Sequence, residues 1–193
     1  MPQRAKAAII RSFKELLNKQ SIDKITVKEI CQHCGVNRQT FYYYFTDIFD
    51  IFKYVVFKEM SRDIAQNRTF ETWEGGFLAT MYYLKNNSKM IFHVYHSSFW
   101  PEAEVFFAGL SNKLMLDVVD ECIEKMGVSI SEKNKNFIIN FYRRVFNGLY
   151  VDWMNEGMED DPKTMLQKLL LMISGSIPRS VAAFVEYEKS NAK

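Results

Sequence analysis

Glycine and proline are scarce in this sequence, 8 and 4 among 193 residues. So few turn formers disfavour a sandwich of many short strands. Cysteine occurs three times, as Cys31, Cys34 and Cys122. An odd count argues against a disulfide framework and for a reducing compartment. No run of ~18 uncharged apolar residues is present, so neither a membrane span nor a membrane partner is expected. The chain start enters a helical pattern and lacks the apolar core and cleavage site of a secretory signal. These absences make a cytoplasmic location the expectation. Net charge is also slight, at +2, and by itself says nothing about partners.

Apolar and aromatic residues are plentiful: 48% of the chain is hydrophobic, with 16 Phe, 10 Tyr and 10 Met. That is ample for a buried core and excludes a disordered tail. Apolar spacing predicts helices over 4–18, 27–34, 37–44 and from 47 onward, then over 71–85, 88–95, 102–126, 132–155 and 162–187. Thr26 and Glu29 form an expected capping box, Gly35 a left-handed stop, and Asn37 and Asp47 the next N-caps. Ser88 and Ser131 are expected caps, Gly127 a helix end, and Asp161-Pro162 a start. Pro178 should kink the last helix. The expected class is all-α. A three-helix domain (1–47) and a connecting helix (48–66) are expected to precede a larger helical domain (67–193).

Cys31-Gln32-His33-Cys34 has the spacing of a redox pair or half a metal site. Val27, Ile30, Cys31 and Cys34 also form the inner stripe of a short helix, and no second Cys/His pair follows at zinc spacing. Neither metal nor cofactor is expected.

Charge becomes informative once divided along the chain. Residues 1–58 carry ten Lys/Arg against five Asp/Glu, while 59–193 carry 15 against 18. A basic helical head on a slightly acidic, aromatic body suits nucleic-acid binding through the head. Two short helices around a glycine turn make a helix-turn-helix, whose second helix enters the major groove. Asn37, Arg38 and Gln39 stand at its start with base-reading chemistry: Arg pairs with a guanine edge, Asn or Gln with adenine. Thr40, Tyr42 and Tyr44 offer hydroxyls to phosphates. Phe41 and Phe45 anchor the helix, and Tyr43 receives no role.

The run Thr26-Val-Lys28-Glu-Ile30, then Gly35-Val-Asn-Arg-Gln-Thr40-Phe-Tyr-Tyr-Tyr44-Phe45, resembles the signature of TetR/AcrR-family transcriptional regulators. Within that family it is most similar to the subgroup of the dihydroxyacetone-kinase operon regulator. The resemblance covers about a quarter of the chain. It implies a homodimer on a palindromic double-stranded DNA operator, typically a repressor released by a small ligand. By position, Thr26 and Lys28 would contact DNA from the second helix. Many members carry a phosphate-binding Lys where this chain has Ile48, so a shallower salt dependence is expected.

In the body, His93 and His96 sit among aromatics without a third ligand of metal spacing. His93, His96, Trp100, Phe107, Tyr142 and Phe146 are candidate ligand contacts, though such aromatics are core residues first. Arg143 and Arg144 would suit an anionic effector if turned inward. Two apolar faces, Met165/Leu169/Met172/Ile173 with Val181/Phe184 and Phe137/Phe141/Val145/Leu149, are candidates for a four-helix dimer contact. The expected mechanism spaces two recognition helices ~34–36 Å apart, with the effector shifting that spacing. The rival readings are an activator whose body binds a protein co-regulator and a small all-α enzyme. His93, His96 and Cys122 make no catalytic constellation for the latter.

Overall fold

The computed structural model describes residues 2–65 and 69–191, and among these no strand occurs. The helices are α1 (Pro2–Leu17), α2 (Val27–Cys34), α3 (Arg38–Tyr44), α4 (Ile48–Ala65), α5 (Trp73–Asn86), α6 (Ser88–Tyr95), α7 (Trp100–Met126), α8 (Glu132–Asn155), α9 (Pro162–Ile173) and α10 (Ser176–Asn191). A single 3-10 turn, Ile22–Lys24, joins α1 to α2. The chain is all-α, as its periodicity predicts.

Local chemistry sets the helix ends of the head. Thr26 Oγ1 accepts from the Glu29 N–H at 3.1 Å, and Gly35 ends α2 with φ 70°. The expected capping box is only half made. Glu29 sends its carboxylate to the Gln20 side-chain amide, at 3.0 and 3.2 Å, instead of back to the Thr26 N–H. Asn37 Oδ1 accepts from the Thr40 N–H at 2.8 Å, and Asp47 Oδ1 from the Asp50 N–H at 2.7 Å.

Farther along the chain, Ser131 and Asp161 cap α8 and α9 through their side chains. Ser88, an expected cap, is instead the first residue of α6; Asn87 precedes it without a side-chain cap bond. The last predicted helix is two helices. Gly175, at φ 66°, breaks the chain between α9 and α10, and Pro178 falls in the first turn of α10. There its missing N–H would have had no intrahelical partner, so it kinks nothing. The span Pro162–Asn191 is long and apolar enough by composition to cross a membrane. It is interrupted at Gly175, and Lys163, Lys168 and Arg179 lie along it.

Packing divides the chain into two compact units, Met1–Arg62 with Tyr83–Phe106, and Asp63–Tyr82 with Phe107–Lys193. Compactness thus groups 83–106 with the head, whereas a single cut at 66/67 assigns them to the body. That cut itself lies outside the described residues.

The first unit is built on Ile9, Phe13, Leu17, Ile30, Phe41 and Phe52, all fully buried. Buried Ser12 donates to the Ile30 carbonyl at 3.2 Å and ties α1 to α2. His93 Nδ1 lies 2.5 Å from the Leu17 carbonyl, a contact that requires the proton on Nδ1. The Asp23 carboxylate accepts from Ser98 N–H and Oγ, the latter at 2.6 Å, which holds its pKa below the usual carboxylate value. Phe49 stacks on Phe99 with ring centres 5.8 Å apart.

In the second unit Trp73 and Phe77 pack on Phe146, and Phe77 stacks on Tyr150. Burial pushes the Tyr150 hydroxyl well above its ordinary pKa. Glu188 of α10 accepts from the Ser131 N–H at 2.9 Å and so fastens the start of α8.

Candidate nucleic-acid interface

The first turn of α3 brings Asn37, Arg38 and Gln39 together, all exposed. Among the described residues Arg38 and Gln39 make no side-chain hydrogen bond, so their donors and acceptors are available to base edges. Asn37 differs. Its Oδ1 accepts both the Thr40 N–H and, at 2.9 Å, the Thr40 hydroxyl. A bidentate adenine contact uses the amide oxygen and nitrogen together. As capped, Asn37 offers only its nitrogen, and the Thr40 hydroxyl must rotate before it can donate to a phosphate.

Thr26 and Lys28 are exposed at the start of α2. Thr26 spends an oxygen lone pair on the Glu29 N–H, which leaves its O–H proton for a phosphate. Tyr42 is 56% exposed and Tyr44 half-buried, with the Tyr44 ring edge-on to Tyr43 at 4.8 Å. Phe41 and Phe45 are buried and fix the helix from beneath. Cys31 is buried behind this face, Cys34 half-buried, and both are free thiols. Burial pushes the Cys31 thiol up, against a smaller opposing influence from Arg38.

A cation the sequence reading did not single out also stands in this region. Lys6 of α1 places Nζ 3.8 Å from the ring centre of Tyr54 on α4, and 5.3 Å from that of Phe45. Helical spacing gives no sign of it, because the contact joins α1 to residues far along the chain, at the end of α3 and on α4.

The six candidate ligand contacts do not form one group. His93, His96 and Trp100 belong to the first compact unit, and Phe107, Tyr142 and Phe146 to the second. His93 is engaged at the end of α1, His96 stacks on Phe92, and Trp100 packs edge-on against Tyr95. Phe146 is buried among Trp73 and Phe77. Only Tyr142 lines the large cavity of the second unit. This open, mostly apolar cavity of about 670 Å³ lies among α8, α9 and α10. Its walls include Phe141, Val145, Leu149, Met165, Leu169 and Met172, which the sequence places on dimer faces. At one side the Tyr142 hydroxyl donates to Ser176 Oγ at 2.8 Å, with Ser180 Oγ at 3.3 Å.

Outside that cavity, Arg143 donates to Asn140 Oδ1, and its Nε is buried without a partner. Phe137, Phe141, Leu171 and Met172 leave large apolar surfaces in solvent, with Leu171 88% and Met172 79% exposed.

Two family models match the chain. One, described as bacterial regulatory proteins of the tetR family, covers residues 6–55; the other, described as a transcriptional regulator C-terminal region, covers 71–175. A curated relative, the HTH-type dhaKLM operon transcriptional activator DhaS of Lactococcus lactis subsp. lactis, is 26% identical over 133 residues. That alignment spans 69% of this chain and 70% of the relative. Among solved structures, the dihydroxyacetone kinase operon activator DhaS aligns over 90% of this chain and 96% of its own, with TM-score 0.67 and 19% identity. NalD, the secondary repressor of the MexAB-OprM multidrug efflux pump in Pseudomonas aeruginosa, aligns over 93% and 98%, with TM-score 0.58 and 14% identity. Both structures share the fold.

Proposed function

This chain belongs to the TetR family of bacterial transcriptional regulators, and we propose that it acts as a homodimer on a palindromic operator, as a repressor released by a small-molecule effector. It is a DNA-binding regulator and not an enzyme. In this reading residues 1–47 form the DNA head, 48–66 the connector and 67–193 the effector and dimerisation part, working in the cytoplasm on the nucleoid.

The observation that carries the DNA reading is the start of α3, where exposed Arg38 and Gln39 are free of internal hydrogen bonds. Arg38 and Gln39 read bases, joined by the Asn37 amide nitrogen. Thr26, Lys28, Thr40, Tyr42 and Tyr44 hold phosphates and set the register. One head reads too few base pairs for useful specificity, and a dimer doubles the site. The exposed apolar side chains of α8 and α9 support such pairing. The cavity of about 670 Å³ has the size and apolar character of a small-molecule site. An effector regulates only by binding the operator-competent and released states unequally.

A second reading is favoured by the relative's name: DhaS is described as an activator. The body would then bind a protein co-regulator and the operator-bound chain would activate. Fragments retained from random or genomic DNA define the operator. On that duplex Arg38→Ala should cost about 1–3 kcal/mol and relax preference at one base position; unchanged affinity and specificity in a gel-shift titration would refute the assignment. A metabolite-induced rise in melting temperature supports the effector reading, and capture of a protein without metabolite supports the other.

A further inference from the structure

We infer that the ammonium group of Lys6 is a phosphate contact of the DNA interface, held ready on the Tyr54 ring beside Tyr44. The inference rests on the DNA-binding reading and adds a residue from α1 to it.

Three observations converge on Lys6. Its Nζ sits 3.8 Å from the centre of the Tyr54 ring, 5.3 Å from Phe45 and 6.0 Å from Tyr44. An aromatic face attracts the cation without forming an ordinary hydrogen bond to it, so the N–H donors turned away from the ring remain for other acceptors. Lys14, by contrast, is committed to Glu59, Lys125 to Glu71 and Glu121, and Lys135 to Asp120 and Glu132. No carboxylate among the described residues pairs with Lys6. It is a positioned cation without an anion.

The surroundings indicate which anion is missing. Tyr44 ends the recognition helix, on the segment whose hydroxyls are assigned to phosphates. The first turn of α4 contains no Lys or Arg, and the cation nearest to it on that helix, Lys53, lies over the Phe49 ring with Nζ 5.3 Å from the centre. Asp47 Oδ1 takes the Asp50 N–H, and Asp50 Oδ2 takes the Thr46 N–H at 3.0 Å. Two carboxylates occupy the helix end that would otherwise draw a phosphate. Lys6 therefore supplies positive charge where the end of α3 meets an acidic helix start. A side chain already ordered on a ring loses little further freedom on binding, so the contact is prepared in the free protein.

The test uses the full chain and a labelled duplex recovered by the wild-type protein from a random-sequence pool. Affinity is measured across a KCl series for wild type, Lys6→Met, Lys6→Gln and Lys6→Arg, with thermal melting as the folding control. Lys6→Met and Lys6→Gln should bind more weakly at low salt. Their plots of log affinity against log salt should be shallower by about 0.9 for each head on the duplex, while Lys6→Arg keeps the wild-type slope. If Lys6 merely ties α1 to α4, the neutral variants melt lower but run parallel to wild type, and the inference falls while the DNA reading stands. A wild-type chain that retains no duplex would overturn both.

Discussion

Asp23 shows how much one exposed carboxylate can organise. It sits in the turn after α1 and takes both the N–H and the hydroxyl of Ser98, which lowers its pKa. A lowered folded-state pKa means the stabilisation is present above the unfolded value, near 3.9. It is lost as pH falls through the folded value. Asp23→Asn should therefore melt below wild type at neutral pH, and the gap should close as the solution is acidified through the lowered folded-state pKa. Melting curves across pH check this, and a gap independent of pH would contradict it. The neighbouring His93 makes the same point about residue identity. In sequence it is a ligand candidate among aromatics, but in the fold it serves the Leu17 carbonyl at the end of α1.

At the scale of elements, Gly35 is the position where one substitution tests the turn of the helix-turn-helix. Its φ of 70° lies in the left-handed region, yet a Cβ there would meet nothing within 4 Å. Gly35→Ala should thus cost only conformational strain, about 1–2 kcal/mol, and Gly35→Asn less. Equal stability of the two variants in urea titrations would argue against that origin. The α2 and α3 boundaries were legible because Thr26, Gly35 and Asn37 act on N–H groups and carbonyls within a few residues. The break at Gly175 was not, because Pro178 carries the stronger sequence signal while lying where proline does no harm. The grouping of 83–106 with the head was equally hidden, since it depends on pairs such as Asp23 and Ser98, 75 positions apart. In the candidate interface the exposed α3 residues were readable from chemistry and spacing. Lys6 was not, because the contact brings together three segments, α1, the end of α3 and α4. The body candidates are divided between two compact units because helical periodicity marks a residue as inward-facing without saying which interior it faces.

For the whole molecule, the proposed pairing rests on the apolar surface left exposed on α8 and α9. Leu171 and Met172 are nearly bare in the single chain, so replacing them should change its own stability by no more than about 0.5 kcal/mol. The double variant Leu171→Glu, Met172→Glu should sediment as a monomer and lose operator retention with its helicity intact. An unchanged sedimenting mass would contradict the proposed pairing through this face.

The hydrogen-bond pattern at the start of α3 bears on how such a regulator changes its targets over generations. Asn37 is tied into the scaffold by its cap, so changing it costs folding stability whatever it does for recognition. Arg38 and Gln39 have no such obligation. Under the proposed base-reading role, new pairs at these two positions would rewrite operator preference without removing a cap or a core contact. A lineage of duplicated copies would therefore diverge in the promoters they answer to at 38 and 39 first, with position 37 held constant across them.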